Sequence, residues 1–155
     1  MHLILQLSNE NKTLVKQKSF KGLYELATAK IWIDNHRKIF RTPKRKRQYY
    51  IQTWHSPLRL KLIEKDAEKF LDKFYIYFAK NDASVTDYMI SGCDYSRKIY
   101  EKSFWFNGEV LEIGTPRLDI FFKDNKNIKE KVINEFNLSS ENKICLYMPT
   151  FRKDK

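Results

Sequence analysis

Cysteine, glycine and proline are all scarce in this chain of 155 residues, at two, four and four. So few glycines and prolines exclude collagen-like and low-complexity classes. Cys93 and Cys145 lie far apart and have no metal-ligand spacing, so neither a disulfide framework nor a zinc site is expected. Both fall in apolar segments, which predicts buried free thiols in a reducing compartment. No apolar run approaches the roughly 20 residues of a membrane span. The opening "HLILQL" is too short for a signal peptide and lacks a basic start. Also absent are a P-loop, a GxGxxG and a GxSxG motif.

Acidic residues are the minority charge. Nineteen Asp and Glu face thirty Lys and Arg, for a formal net charge of +11. That balance points to an anionic partner: nucleic acid, an anionic membrane surface or a phosphate-rich substrate. Hydrophobic residues make up 42% and aromatics 15%, enough for one domain with a real core. The aromatics follow strand and helix periods, so a base-stacking platform is disfavoured and nucleic acid is not the expected partner.

Short apolar runs alternate with helical patterns. Strands are predicted at Leu3 to Leu7, Lys30 to Asn35, Arg47 to Trp54, Asp87 to Ser91, Gly108 to Gly114 and Lys143 to Pro149. Helices are predicted from Ser19, a capping residue with Leu23, Leu26 and Ala27 on one face, and over Glu64 to Phe78. Two more are predicted from Asp94, another candidate cap, to Phe104, and over Asn127 to Leu138. This alternation argues for an α/β fold with a Rossmann-like, mostly parallel sheet. In such sheets ligands bind outside the carboxyl ends of the strands.

Those ends carry the candidate chemistry. Asn35, His36 and Arg37 follow one strand, His55 the next, Ser91 and Gly92 a third, Gly114 to Arg117 a fourth, and Arg152 the last. A neutral imidazole suits His55 to accept a proton from a hydroxyl. In "GTPR", Gly114 lets backbone approach a ligand, Pro116 stiffens the turn and Arg117 offers a fork to phosphate. The run from His36 to Arg47 includes Lys44, Arg45, Lys46 and Arg47, suited to phosphates or anionic headgroups, or simply a solvated charge run. Leu58, Leu60 and Leu62 alternate with Arg59 and Lys61, giving one apolar and one basic face.

Taken in order, "IWIDNHR", "YYIQTWHS…LKLIEKDA", "DYMISGCDYSRKIYEKSFWFNGEVLEIGTPRLDIFF" and "ICLYMPTFRKD" resemble the successive motifs of the CDP-glycerol glycerophosphotransferases. These are teichoic-acid polymerases and primases of Gram-positive bacteria. The resemblance runs from about Ser19 to Lys153. It implies that residues 1–148 form the N-terminal, acceptor-side domain of a GT-B fold, with 149–155 beginning the crossover to a donor-binding domain. It also implies transfer of glycerol phosphate from the donor substrate CDP-glycerol to a lipid-linked polyol-phosphate chain. No bound cofactor and no metal-ligating residue are expected. The location implied is the inner face of the cell membrane, bound peripherally to its anionic surface.

Residue by residue, the family's Trp-His motif falls on Trp54 and His55, which makes His55 the implied general base. Its Gly-x-Pro-Arg falls on Gly114, Pro116 and Arg117, and its Pro-Thr-Phe-Arg on Pro149 to Arg152. Lys61, Arg117 and Arg152 are then suited to the transferring phosphoryl group. Asn35, Arg37, Ser91 and Gly114 complete the expected substrate-binding set, and Lys44 to Arg47 the polymer or membrane contact. Ser56 and Pro57 stand where some members carry Gly-Thr, which leaves glycerol and ribitol phosphate both open as acceptor. The resemblance stops near Lys155, so the donor-binding half is expected in the same or a neighbouring chain. A non-catalytic basic module for an anionic polymer or membrane is the alternative.

Overall fold

The computed structural model describes residues 14–16, 19–38, 43–56, 61–123, 126–139 and 141–148. They divide into two compact units, Met1–Pro116 and Arg117–Lys155. The expected strand Leu3 to Leu7 and the segment Pro149 to Arg152 lie outside the described residues.

The first unit holds the sheet. Helix α1 (Phe20–Thr28) starts at Ser19, whose hydroxyl accepts from the Gly22 N–H at 3.0 Å, as the sequence predicts. Its expected apolar face is not buried: only Gly22 is, and Leu23 is 52% exposed. Strands β1 (Ile31–Asp34), β2 (Tyr49–Gln52), β3 (Tyr88–Ser91) and β4 (Glu109–Glu112) pair in that order, all parallel. Trp32 pairs with Tyr50, and Met89 with Val110. The α/β architecture and the parallel sheet therefore match the sequence reading.

The single helix expected over Glu64 to Phe78 is instead two elements. A 3-10 segment, Glu64–Phe70, precedes helix α2 (Lys73–Val85). The break follows from Asp72, whose carboxylate accepts from the N–H groups of Phe74 and Tyr75 and starts a new helix. Phe70 and Phe74 are 86% and 75% exposed. Helix α3 (Asp94–Ser103) has Cys93, not Asp94, at its N-cap. Asp94 sits one position further in and pairs with Lys98 and Arg97 along the exposed surface.

Trp54, Met89, Tyr100, Phe104 and Phe106 form the core cluster, with Ile63, Ile99 and Val110 packed against it. It joins the strand end after β2, the centre of β3 and the end of α3. Gln48 fastens α1 to the sheet, its amide donating to the carbonyls of Leu26, Ala27 and Ala29 that the helix end leaves open.

The second unit contains a 3-10 segment that begins at the boundary, Pro116–Phe122, and helix α4 (Lys126–Glu135). The strand expected over Lys143 to Pro149 does not form among its described residues, 143–148. Ile144, Leu146, Tyr147 and Met148 are all more than half exposed. An apolar alternation becomes a strand only when a sheet edge supplies hydrogen-bond partners. The thiols also differ from expectation. Both are free, but Cys93 is only partly buried and Cys145 is exposed.

Candidate functional site

Because the strands are parallel, the four carboxyl ends share one edge of the sheet. The chain leaves β1 at Asn35, β2 at Thr53, β3 at Gly92 and β4 at Ile113. Asn35, His55, Ser91 and Gly114 are thus brought to one edge, as the sequence predicts. Neighbouring ends are laced together. The Thr53 N–H donates to the Asp34 carbonyl at 2.8 Å, and the Gly114 N–H to the Ser91 carbonyl at 3.2 Å.

His55 stands at the end of β2 with its ring exposed. Nδ1 lies 3.1 Å from the Asn35 carbonyl oxygen. A carbonyl only accepts, so this contact requires hydrogen on Nδ1 and makes Nε2 the accepting nitrogen of the neutral ring. The ring lies against Trp54 with centroids 4.5 Å apart and the planes tilted by 31°. Trp54 is held in turn by its N–H donating to the Gln52 side-chain oxygen at 2.9 Å and by the edge of Phe104. Beside it, His36 Nδ1 is 2.8 Å from Asp34 Oδ1 and 3.2 Å from Asn35 Oδ1.

The other expected residues separate by environment. Ser91 is fully buried; its hydroxyl donates to the Cys93 carbonyl at 2.8 Å and accepts from the Cys93 N–H at 3.3 Å. It shapes the turn into α3. Gly92 is packed so closely there that a Cβ would lie 2.4 Å from Thr115 Oγ1, which couples the β3 and β4 ends. The backbone N–H of Ser96, then its hydroxyl, holds the Cys93 thiol below its ordinary pKa. Gly114 has φ +95°, in the region that favours glycine. Lys61 is exposed, and Arg117 is exposed in the second unit. Arg152 lies outside the described residues.

Arg37 follows β1 at the carboxyl edge but is buried, and the basic run sits elsewhere. The Arg37 side chain is 3% exposed and is held by Glu64, Asp82 and the Phe104 carbonyl. Lys38 is buried as well, its Nζ 3.2 Å from Asp34 Oδ2 and 3.5 Å from the centroid of the Tyr50 ring. Desolvation lowers its pKa more than the Asp34 charge restores it. Lys44 to Arg47 precede β2 and therefore lie at the amino edge of the sheet, opposite His55. Lys44 pairs there with Asp87, and Arg45 donates to the Thr28 carbonyl at 3.1 Å, while Lys46 and Arg47 are exposed. An open depression of about 530 Å³ lies at the same amino edge, beside Tyr49, Asp87 and Glu109.

The acidic partners Glu64 and Asp82 were not singled out in the sequence. Glu64 opens the predicted helix and Asp82 lies beyond its predicted end, so nothing local marks either as buried. Among the described residues no group of three or more His, Cys, Asp or Glu is placed to hold a metal ion.

The family model for CDP-glycerol:poly(glycerophosphate) glycerophosphotransferases matches residues 2–155. The chain belongs to this family. A curated relative, the teichoic acid poly(glycerol phosphate) polymerase of Bacillus spizizenii, is 34% identical over 149 residues, 93% of this chain and 38% of that protein. The solved structure of the wall teichoic acid polymerase TagF superposes with a TM-score of 0.77 at 28% identity, over 96% of this chain and 38% of that one. A TagF variant soaked with CDPG gives 0.72 at 25% identity, over 96% and 39%. The chain spans less than two-fifths of the length of these relatives.

Proposed function

We propose that this chain supplies the acceptor-side half of a glycerophosphotransferase, with His55 as the base that activates the acceptor hydroxyl. The reaction is transfer of glycerol phosphate from CDP-glycerol to a lipid-linked polyol-phosphate chain. The observation that carries this reading is His55 itself. It is exposed at the carboxyl edge of a parallel sheet, and its tautomer is fixed by the Asn35 carbonyl so that Nε2 accepts. The acceptor oxygen bonds to the phosphorus bearing the glycerol, and its proton passes to Nε2. The bond from that phosphorus to CMP breaks, and CMP leaves with the electron pair.

Arg117, Lys61 and Arg152 are the cations assigned to the transferring phosphoryl group, and Asn35, Ser91 and Gly114 shape the edge it approaches. Residues 1–148 are read as the acceptor-side domain of a GT-B pair and 149–155 as the crossover. The donor-binding half belongs to further sequence in the same or a neighbouring chain. Family membership and the short span relative to the polymerases support that division. No helix among the described residues is long and apolar enough to cross a membrane. Attachment to the inner membrane face is assigned to surface cations, of which Lys46 and Arg47 are the exposed pair at the amino edge.

The test is CMP release from CDP-glycerol in the presence of lipid primers carrying either glycerol phosphate or ribitol phosphate. Residues 1–155 alone are expected to give no turnover; robust turnover from them would sink the half-site reading. Joined to a donor-binding half, the wild-type sequence is expected to be active, and His55→Ala to lose at least ~10²-fold in rate. Wild-type turnover in His55→Ala would remove His55 from the chemistry.

A further inference from the structure

Arg37 is the most enclosed cation described in the chain, and it faces three segments at once. Its Nε and Nη2 donate to Glu64 Oε2 at 3.3 and 3.1 Å, Nη1 to Asp82 Oδ2 at 3.2 Å, and Nη2 to the Phe104 carbonyl at 2.9 Å. The side chains of Glu64 and Asp82 are 2% and 1% exposed. The partners are themselves held. Tyr75 donates its hydroxyl to Glu64 Oε1, and Tyr50 to Asp82 Oδ1. The guanidinium also lies over two rings, 5.6 Å from the Trp54 centroid and 5.2 Å from that of Phe104.

The backbone around this cation is unusual. In the first unit the described residues other than glycine with positive φ are Trp54 at 57°, Glu64 at 51° and Trp105 at 50°. Arg37 lies over the first, pairs with the second and donates to the carbonyl of Phe104, the residue before the third. Left-handed conformations of bulky residues persist only where their surroundings over-determine them. Here those surroundings converge on one side chain. Trp54 in turn carries the ring of His55 on its face.

We propose that Arg37 is a positioning residue. Its planar guanidinium, with four N–H groups engaged, holds Trp54 in the left-handed conformation, and through Trp54 it fixes the ring of His55 at the carboxyl edge of the sheet. Arg37 itself touches no substrate. A lysine cannot replace it, because one ammonium cannot span two carboxylates and a carbonyl while presenting a flat face to an indole. The proposal rests on the reading of His55 as the base, and it changes the role of Arg37 from ligand to support.

The test uses the 155-residue chain and needs no turnover. The ring signals of His55 are followed by nuclear magnetic resonance in wild type, Arg37→Lys, Arg37→Met and Tyr75→Phe. The amide signals of Met89 and Leu111 report the sheet. Wild-type His55 ring protons are expected to be displaced upfield by the Trp54 face. In Arg37→Lys and Arg37→Met that displacement is expected to be lost while the sheet signals stay in place. Tyr75→Phe, which leaves all of the Arg37 contacts intact, is expected to retain it. Unmoved His55 signals in a folded Arg37→Lys or Arg37→Met would overturn the proposal. So would loss of the sheet signals in both, because Arg37 would then be a requirement of the fold. A negative result here leaves the base assignment standing if His55→Ala still abolishes transfer. Conversely, transfer that survives His55→Ala sinks the base assignment whatever the ring signals do.

Discussion

Tyr50 and Tyr75 show how a buried carboxylate cluster couples to proton binding at the scale of single residues. Burial raises both phenol pKa values far above the usual range. The Asp82 charge adds to this for Tyr50, and the hydrogen bond to Glu64 for Tyr75. A folded-state pKa above the unfolded one contributes stability that is complete below the unfolded value near pH 10 and is lost as pH rises beyond it. Lys38 acts with the opposite sign. Desolvation lowers its pKa, so between that value and 10.5 the unfolded chain binds more protons and stability rises with pH. The tyrosinate absorbance of Tyr50 and Tyr75, taken as the difference from Tyr50→Phe and Tyr75→Phe, is expected to appear only as the sheet unfolds. A step near pH 10 in the folded protein would show that these phenols are solvated. None of this was legible in the sequence. Arg37 reads as a substrate-binding cation at a strand end, and its carboxylate partners lie 27 and 45 residues away. The place of His55 at a strand end was legible, because the local pattern supplies it.

At the scale of elements, the glycines after β3 and around β4 differ in what they do. A Cβ on Gly108 would meet the Asp87 carbonyl oxygen at 2.5 Å and the Phe106 ring at 2.6 Å, where β3 and β4 begin side by side. Backbone and a buried ring cannot yield cheaply, so Gly108→Ala is expected to cost about 1–3 kcal/mol. Gly114 has nothing within 4 Å of such a Cβ and only its φ of +95° to maintain. Gly114→Ala is expected to cost about 1 kcal/mol. Denaturant midpoints at constant slope would compare them, and equal losses would contradict the packing argument. Four strands were readable because each is a short apolar run closed by turn residues. The missing one, Lys143 to Met148, carries the same pattern but belongs to the unit that holds no strand among its described residues. The helix break at Asp72 was legible in principle, since an aspartate two residues before Phe74 is a standard capping signal.

At the scale of the molecule, the two units differ in what holds them. All four strands and every buried residue among those described belong to the first unit. In the second, Phe121 and Phe122 are 73% and 90% exposed. A chain ending at Pro116 is therefore expected to keep the sheet, read as hydrogen-exchange protection at Tyr50 and Met89. Loss of that protection would mean that residues 117–155 contribute to the core. The charge of +11 was plain from composition, but its distribution over the fold was not.

That distribution makes the sheet a spacer between two electrical compartments. A four-residue strand rises about 3.3 Å per residue, so more than about 10 Å separates the exposed cations before β2 from the imidazole after it. At physiological salt the screening length is about 8 Å. An anion on Lys46 and Arg47 would therefore lie beyond the screening length from His55, so the roles proposed for the two ends of the sheet can be tested by separate substitutions.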